Sequence, residues 1–166
     1  MHPDLEAARS AIDAATMNMT ADDLSRHAPG KWSSAQVLEH LAKAYGSTAY
    51  ILDKCVREQR TVATPPSSRQ RFFTWAIINI GYFPHGRPAP AVTVPEGLEP
   101  LAALEVARTS LADLDAAAAR GLEAFGPVAR VANHPILGGF TIPQWRRFHW
   151  VHTRHHMKQI VALRTR

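Results

Sequence analysis

His149-Trp150-Val151-His152-Thr153-Arg154-His155-His156, within residues 141–166, decides how this chain of 166 residues is read. On an α-helix, at about 100° per residue, His149, His152 and His156 fall within an arc of about 60° together with Trp145, Gln159 and Leu163. Arg147, Trp150, Arg154 and Lys158 lie on the opposite side. The pattern is an amphipathic helix whose inward stripe carries imidazoles where leucines are the rule. Buried ring nitrogens without partners are costly, so something must satisfy them. Thr141 as N-cap and Pro143 in the first turn place the helix start, and Lys158, Arg164 and Arg166 near its end offset its dipole.

Upstream of this helix, residues 126–140 read as a loop carrying Asn133-His134-Pro135 and Gly138-Gly139. Residues 98–125 have helical spacing, with Leu101, Leu104, Ala107 or Arg108, Leu111, Leu114 and Ala118 three or four apart. Ala116-Ala117-Ala118-Ala119 permits close helix approach, and Gly121 weakens the last turn. The segment 84–97, opening on Pro84-His85-Gly86-Arg87-Pro88, is longer than a helix connection needs and is either functional or covers a face. Residues 69–83 form a strongly apolar third helix, in which Phe72, Trp75, Ile78 and Phe83 suit a dimer surface and core packing equally well. Thr64-Pro65-Pro66-Ser67-Ser68 is a linker.

Ser33 followed by Gln36 has the form of a capping box that opens a second helix running to about residue 60. On it Val37, His40, Ala44, Ser47 and Ile51 share a face, so His40 points inward too, and Trp32 staples the start. Residues 20–30 connect, with one helical turn at 21–26, and residues 4–17 form a first helix with Leu5, Ala8, Ile12 and Ala15 on one side. No strand and no fixed-period repeat is expected. The expected architecture is all-α: four or five helices in one antiparallel bundle, a single domain over residues 1–166, with the long loops after the third and fourth main helices.

Hydrophobic residues at 46% and charged residues at 20% describe an ordinary globule. A lone cysteine, Cys55, excludes an internal disulfide and agrees with a reducing cytoplasm. Met1-His2-Pro3-Asp4-Leu5 lacks the layout of a signal peptide, and the most apolar run, 72–83, is too short to span a bilayer. The net charge of +5 raises the question of an acidic partner. The basic residues are scattered, however, with no basic arm or zinc-finger spacing, so neither a nucleic-acid nor a membrane partner is expected.

His152 and His156, at i and i+4, have the spacing that lets two imidazoles bind one ion, and His40 from a facing helix supplies a third nitrogen. Three imidazoles with an open fourth position describe a catalytic-type zinc or nickel site. A single inward histidine such as His40 is more commonly hydrogen-bonded to a carbonyl, and i,i+4 pairs arise by chance in His-rich chains. His149 and Gln159, on the same arc, are candidates to support the ligands or orient an attacking group; for His149 an alternative ligand role and pocket lining stay open. His155 falls at a helix seam, His2 and His27 look exposed, and His85 and His134 are candidates for substrate contact.

Lys31-Trp32-Ser33-Ser34-Ala35-Gln36-Val37-Leu38-Glu39-His40-Leu41 resembles the second helix of the DinB-like (damage-inducible) helical bundle superfamily. His134-Pro135-Ile136-Leu137-Gly138-Gly139-Phe140-Thr141, then Gln144-Trp145 and the run 152–160, resembles the terminal helix of an uncharacterised branch, as do Tyr82-Phe83-Pro84 and the loop after it. The resemblance implies an up-down-down-up four-helix bundle, usually dimeric, with a divalent metal on three histidines: here His40, His152 and His156. Relatives include transferases using mycothiol or bacillithiol and a maleylpyruvate isomerase. Unlike some relatives, this chain has no Asp or Glu in 69–83 to serve as an acidic ligand. The function implied is metal-dependent transfer with a low-molecular-weight thiol, in which coordination activates the thiol. The alternative is a non-catalytic metal-binding or dimeric scaffold.

Overall fold

The computed structural model describes residues 1–81 and 89–164. The chain is mostly helical, as expected. Helix α1 (Pro3–Thr16) starts where the His2 ring accepts from the Asp4 backbone N–H at 3.2 Å, with Asp4 and Glu6 against the positive end of its dipole. His2 is therefore a cap rather than an uninvolved exposed residue. Leu5, Ala8, Ile12 and Ala15 are buried, the face their spacing of three and four predicts. After the single turn α2 (Ala21–Ser25), α3 (Ser34–Glu58) begins in the anticipated capping box, Ser33 N–H to Gln36 Oε1 at 2.9 Å and Gln36 N–H to Ser33 Oγ at 3.2 Å. The face of α3 is rotated from the expected one. Leu38, Leu41, Tyr45, Leu52 and Cys55 are fully buried, whereas Ser47 is exposed and Ile51 half-buried.

The third apolar stretch departs from a simple helix. α4 (Ser68–Trp75) passes into a π-helical turn, Ala76–Ile80, that ends at Gly81; residues 82–88, and with them Phe83 and His85, lie outside the described residues. Phe72 and Trp75 are 62% and 54% exposed, which rules out core packing for both, while Ile78 is half-buried. Helix α5 (Pro100–Phe125) buries Leu104, Ala107, Leu111, Leu114 and Ala118, but Leu101 is exposed. Gly121 is there for space: a Cβ at that position would stand 2.8 Å from Ile142 Cδ1.

The expectation of no strand is wrong. The expected loop at 126–140 instead forms most of an antiparallel hairpin, β1 (Arg130–His134) and β2 (Gly138–Thr141), paired Ala132 to Phe140, Asn133 to Gly139 and His134 to Gly138, with a bulge next to Arg130. Residues 62–64 run alongside, with Val62 N–H donating to the Val131 carbonyl at 2.9 Å and Thr64 N–H to Asn133 Oδ1 at 3.0 Å. Val131, Ala132 and Phe140 are fully buried, so the hairpin closes part of the core.

Helix α6 (Ile142–Arg164) follows at once, capped by Thr141: its Oγ1 accepts from Gln144 N–H at 3.3 Å, and Gln144 Oε1 accepts from Thr141 N–H at 3.0 Å. The most extensive packing is α3 on α5 and then α1 on α6. No helix among the described residues is long and apolar enough to cross a membrane.

Candidate metal centre

The structure brings His40 of α3 together with His152 and His156 of α6. His152 Nε2 lies 3.3 Å from His40 Nε2 and 3.0 Å from His156 Nε2, and one nitrogen from each ring falls within 4.8 Å of the other two. Two nitrogens sharing a tetrahedral ion at the usual zinc–nitrogen length stand about 3.3 Å apart, so the spacing suits one cation. No Cys, Asp or Glu joins the cluster among the described residues, and Cys55 instead donates to the Val131 carbonyl.

Second partners set the protons. His40 Nδ1 meets the Thr93 carbonyl at 2.8 Å, and His156 Nδ1 meets Gln159 Oε1 at 2.9 Å. Each oxygen is an acceptor, so each Nδ1 carries the hydrogen and each Nε2 turns a bare lone pair toward His152. A proton on His152 Nε2 satisfies only one of the two. A cation satisfies all three rings, and on this donor chemistry the residues fit a metal. The rings are also braced by aromatic neighbours: Phe148 stacks on His152 with centroids 5.4 Å apart, and Trp32 packs on His40 at 5.2 Å.

The electrostatics favour neutral ligands. Burial pushes the His156 pKa down to about 3, assisted by His40 and opposed by Gln159. Burial likewise carries His152 well below its ordinary value and lowers His40 against the Thr93 bond. Metal ligation requires unprotonated imidazole, so these rings need lose no proton to bind an ion at neutral pH.

His149, on the predicted arc, does not join the cluster. It is 1% exposed, and since Thr48 Oγ1 donates to the Ala44 carbonyl, the His149 Nε2–H donates to that oxygen at 3.0 Å. Its Nδ1 has no hydrogen-bond partner among the described residues. Beside it Tyr45 and Thr153 share a short hydrogen bond, and Thr153 donates to the His149 carbonyl at 2.7 Å. His155 is half-buried and contacts Gln159 and the His156 ring, and His27 is exposed. Sequence reasoning missed Thr93, Phe148 and Glu39. Only Glu39 carried a signal, an acidic residue inside the apolar run Val37-Leu38-Glu39-His40-Leu41. It is buried, and although burial alone would raise its pKa, the backbone N–H groups of Glu96, Leu98 and Gly97, with Lys43, lower it overall.

The structure places His134 at the end of β1, in the hairpin. Its Nδ1 accepts from the Ile136 and Leu137 backbone N–H groups at 3.2 Å each, and its ring packs on Phe140, Trp145 and Phe148. Burial pushes its pKa down to about 4. The unfolded chain therefore takes up this proton first as the pH falls below about 6.5, and the stability tied to neutral His134 is lost between there and about 4. The loss is at most about 1.4 kcal/mol per pH unit. An asparagine keeps an acceptor for the turn without titrating. In chelator-treated protein, urea midpoints of His134→Asn should fall less steeply than wild type from pH 7 to 5; parallel profiles would refute the assignment.

A sequence profile of the DinB superfamily matches residues 4–160. No curated protein and no solved structure matches the chain. The helical architecture, the histidine cluster joining α3 to α6, and a profile match over nearly the whole length agree: the chain belongs to the DinB superfamily.

Proposed function

We propose that His40, His152 and His156 hold a divalent cation, zinc or nickel, and that the protein is a metal-dependent transferase acting with a low-molecular-weight thiol on a small electrophile. The proposal includes a single domain built as an antiparallel four-helix bundle in up-down-down-up order, working as a cytoplasmic homodimer. The pairing of α3 with α5 and of α1 with α6 supports that arrangement, and the exposed Phe72 and Trp75 support the dimer. The observation that carries the chemistry is the meeting of three imidazole nitrogens, two of them committed through Nδ1 to oxygen acceptors. Three protein nitrogens leave a position for an exogenous ligand, as catalytic sites do.

A bound divalent ion supplies the positive charge that lowers a thiol pKa from its ordinary value near 8.5. The chain supplies the rest. Thr93 and Gln159 hold two rings in the right tautomer, Phe148 and Trp32 brace the cluster, and burial keeps the imidazoles unprotonated. Gln159, which meets His156 Nδ1, is exposed, and this supports approach of a small molecule from its side of the cluster. The thiol proton passes to solvent, and the carbon–sulfur bond forms as the electrophile's leaving group departs with its electron pair. Ion pairs such as Arg108 with Asp13, Arg120 with Asp53 and Arg147 with Asp4 take up part of the basic charge, in support of a small-molecule rather than nucleic-acid partner.

The test is calorimetric titration of stripped protein with zinc and nickel, alongside conjugation of low-molecular-weight thiols to a chromogenic electrophile. The rate should rise with metal occupancy and fall to background in His152→Ala. Metal binding without conjugation by any thiol would replace this reading with the non-catalytic scaffold, and no metal binding would end both.

A further inference from the structure

Glu39 precedes His40 on α3, takes no part in the cluster and is only 2% exposed. A carboxylate so buried needs partners. Its backbone donors among the described residues come from one short segment: Oε1 accepts from Glu96 N–H at 2.7 Å, and Oε2 from Gly97 and Leu98 N–H at 2.9 Å each, while Lys43 Nζ pairs with Oε1 at 3.6 Å. Gly97 has φ near +97°, in the region that favours glycine, and this lets three successive amides turn toward one anion. Lys43, one turn further along α3, grips the same segment by donating to the Val94 carbonyl at 2.8 Å and pairing with the Glu96 carboxylate at 2.9 Å.

The gripped segment begins at the carbonyl that matters to the cluster. A 3-10 turn, Ala91–Thr93, is closed by Thr93 N–H and Oγ1 donating to the Pro90 carbonyl at 2.8 and 2.9 Å, and its last carbonyl is the one His40 Nδ1 meets. An imidazole has no strong preference of its own for a hydrogen on Nδ1; the facing acceptor decides. What fixes the Thr93 carbonyl therefore fixes which His40 nitrogen is bare.

We propose that Glu39 is a positioning residue of the metal centre. Its carboxylate captures the amides of Glu96, Gly97 and Leu98, keeps the Thr93 carbonyl on His40 Nδ1, and so leaves His40 Nε2 unprotonated and directed at His152 and His156. The inference rests on the metal-centre reading, and its test separates the two.

Glu39→Gln keeps the shape and removes the charge; Glu39→Asp keeps the charge and falls one methylene short. Three measurements apply: amide exchange at 96–98, the zinc dissociation constant by competition with a chromophoric chelator, and the imidazole 15N shifts of His40 in metal-free protein. In Glu39→Gln, exchange should speed up, the zinc dissociation constant should rise about 10–100-fold, as when a ligand loses its orienting partner, and the His40 shifts should leave the Nδ1–H pattern. Glu39→Asp should be intermediate. Faster exchange with unchanged zinc affinity and unchanged His40 shifts would overturn the proposal, leaving Glu39 an anchor of the loop alone. If wild-type protein takes up no zinc, the metal-centre reading fails, while the His40 shifts still judge the latch. Should Glu39→Gln not fold, Lys43→Met loosens the same segment and is read by the same criteria.

Discussion

Zinc or nickel added to stripped protein at about a hundred times its dissociation constant should raise the thermal midpoint by about 5–10 °C. Ligand at that excess stabilises the native state by about 2.7 kcal/mol, and a chain of this size gains about 2–4 °C for each kcal/mol. The gain should vanish in His152→Ala. His152 is the ring both others face, at 3.3 and 3.0 Å, so its removal leaves His40 and His156 without the nitrogen between them. The loss of affinity should exceed the 10–100-fold typical of an orienting partner. Stripped His152→Ala should lose far less, because removing the ring also removes the conflict among facing lone pairs that only a cation resolves. Scanning calorimetry with and without chelator reads both effects. An equal metal-induced shift in wild type and in the triple change of His40, His152 and His156 to Ala would place the ion elsewhere.

The three clustered histidines were legible because each part of the signal is local. His152 and His156 are one turn apart, and Ser33 with Gln36 fixes the start of the helix that carries His40. What surrounds them was not legible. Thr93 and Glu39 act across 53 and 57–59 residues of chain, through a segment with no periodicity to read. His149 shows the limit of angular reasoning. It shares the arc of His152 and His156, but Thr48 stands opposite it, and no count of residues per turn reveals a facing neighbour. Face assignment erred in the same way on α3, where Ser47 proved exposed and Thr48 buried. The hairpin was hidden because strands of five and four residues, one opening on Gly138-Gly139, lack the alternation that marks a half-buried strand.

That hairpin is the site of the second large effect: Gly139→Val should destabilise the protein by about 1–3 kcal/mol, the usual cost of overpacking. A Cβ at Gly139 would stand 2.6 Å from the Thr64 carbonyl oxygen and 3.0 Å from Ala63 Cβ. The first contact is backbone, held by Thr64 N–H on Asn133 Oδ1 at 3.0 Å, so it cannot swing aside as a side chain would. Either residues 62–64 leave β1 or β2 shifts, and β2 runs directly into the Thr141 cap of α6. The disturbance thus reaches the helix that carries His152 and His156. The thermal midpoint should drop by roughly 2–12 °C, and amide protection at Val62 and Thr64 should be lost with it. Gly46→Ala is the control: the position is helical with nothing within 4 Å of an added Cβ, so alanine there should be neutral or stabilise by up to about 1 kcal/mol. A Gly139→Val protein melting with wild type would show that the linker does not lie against the hairpin, and the packing that seats the start of α6 would have to be redrawn.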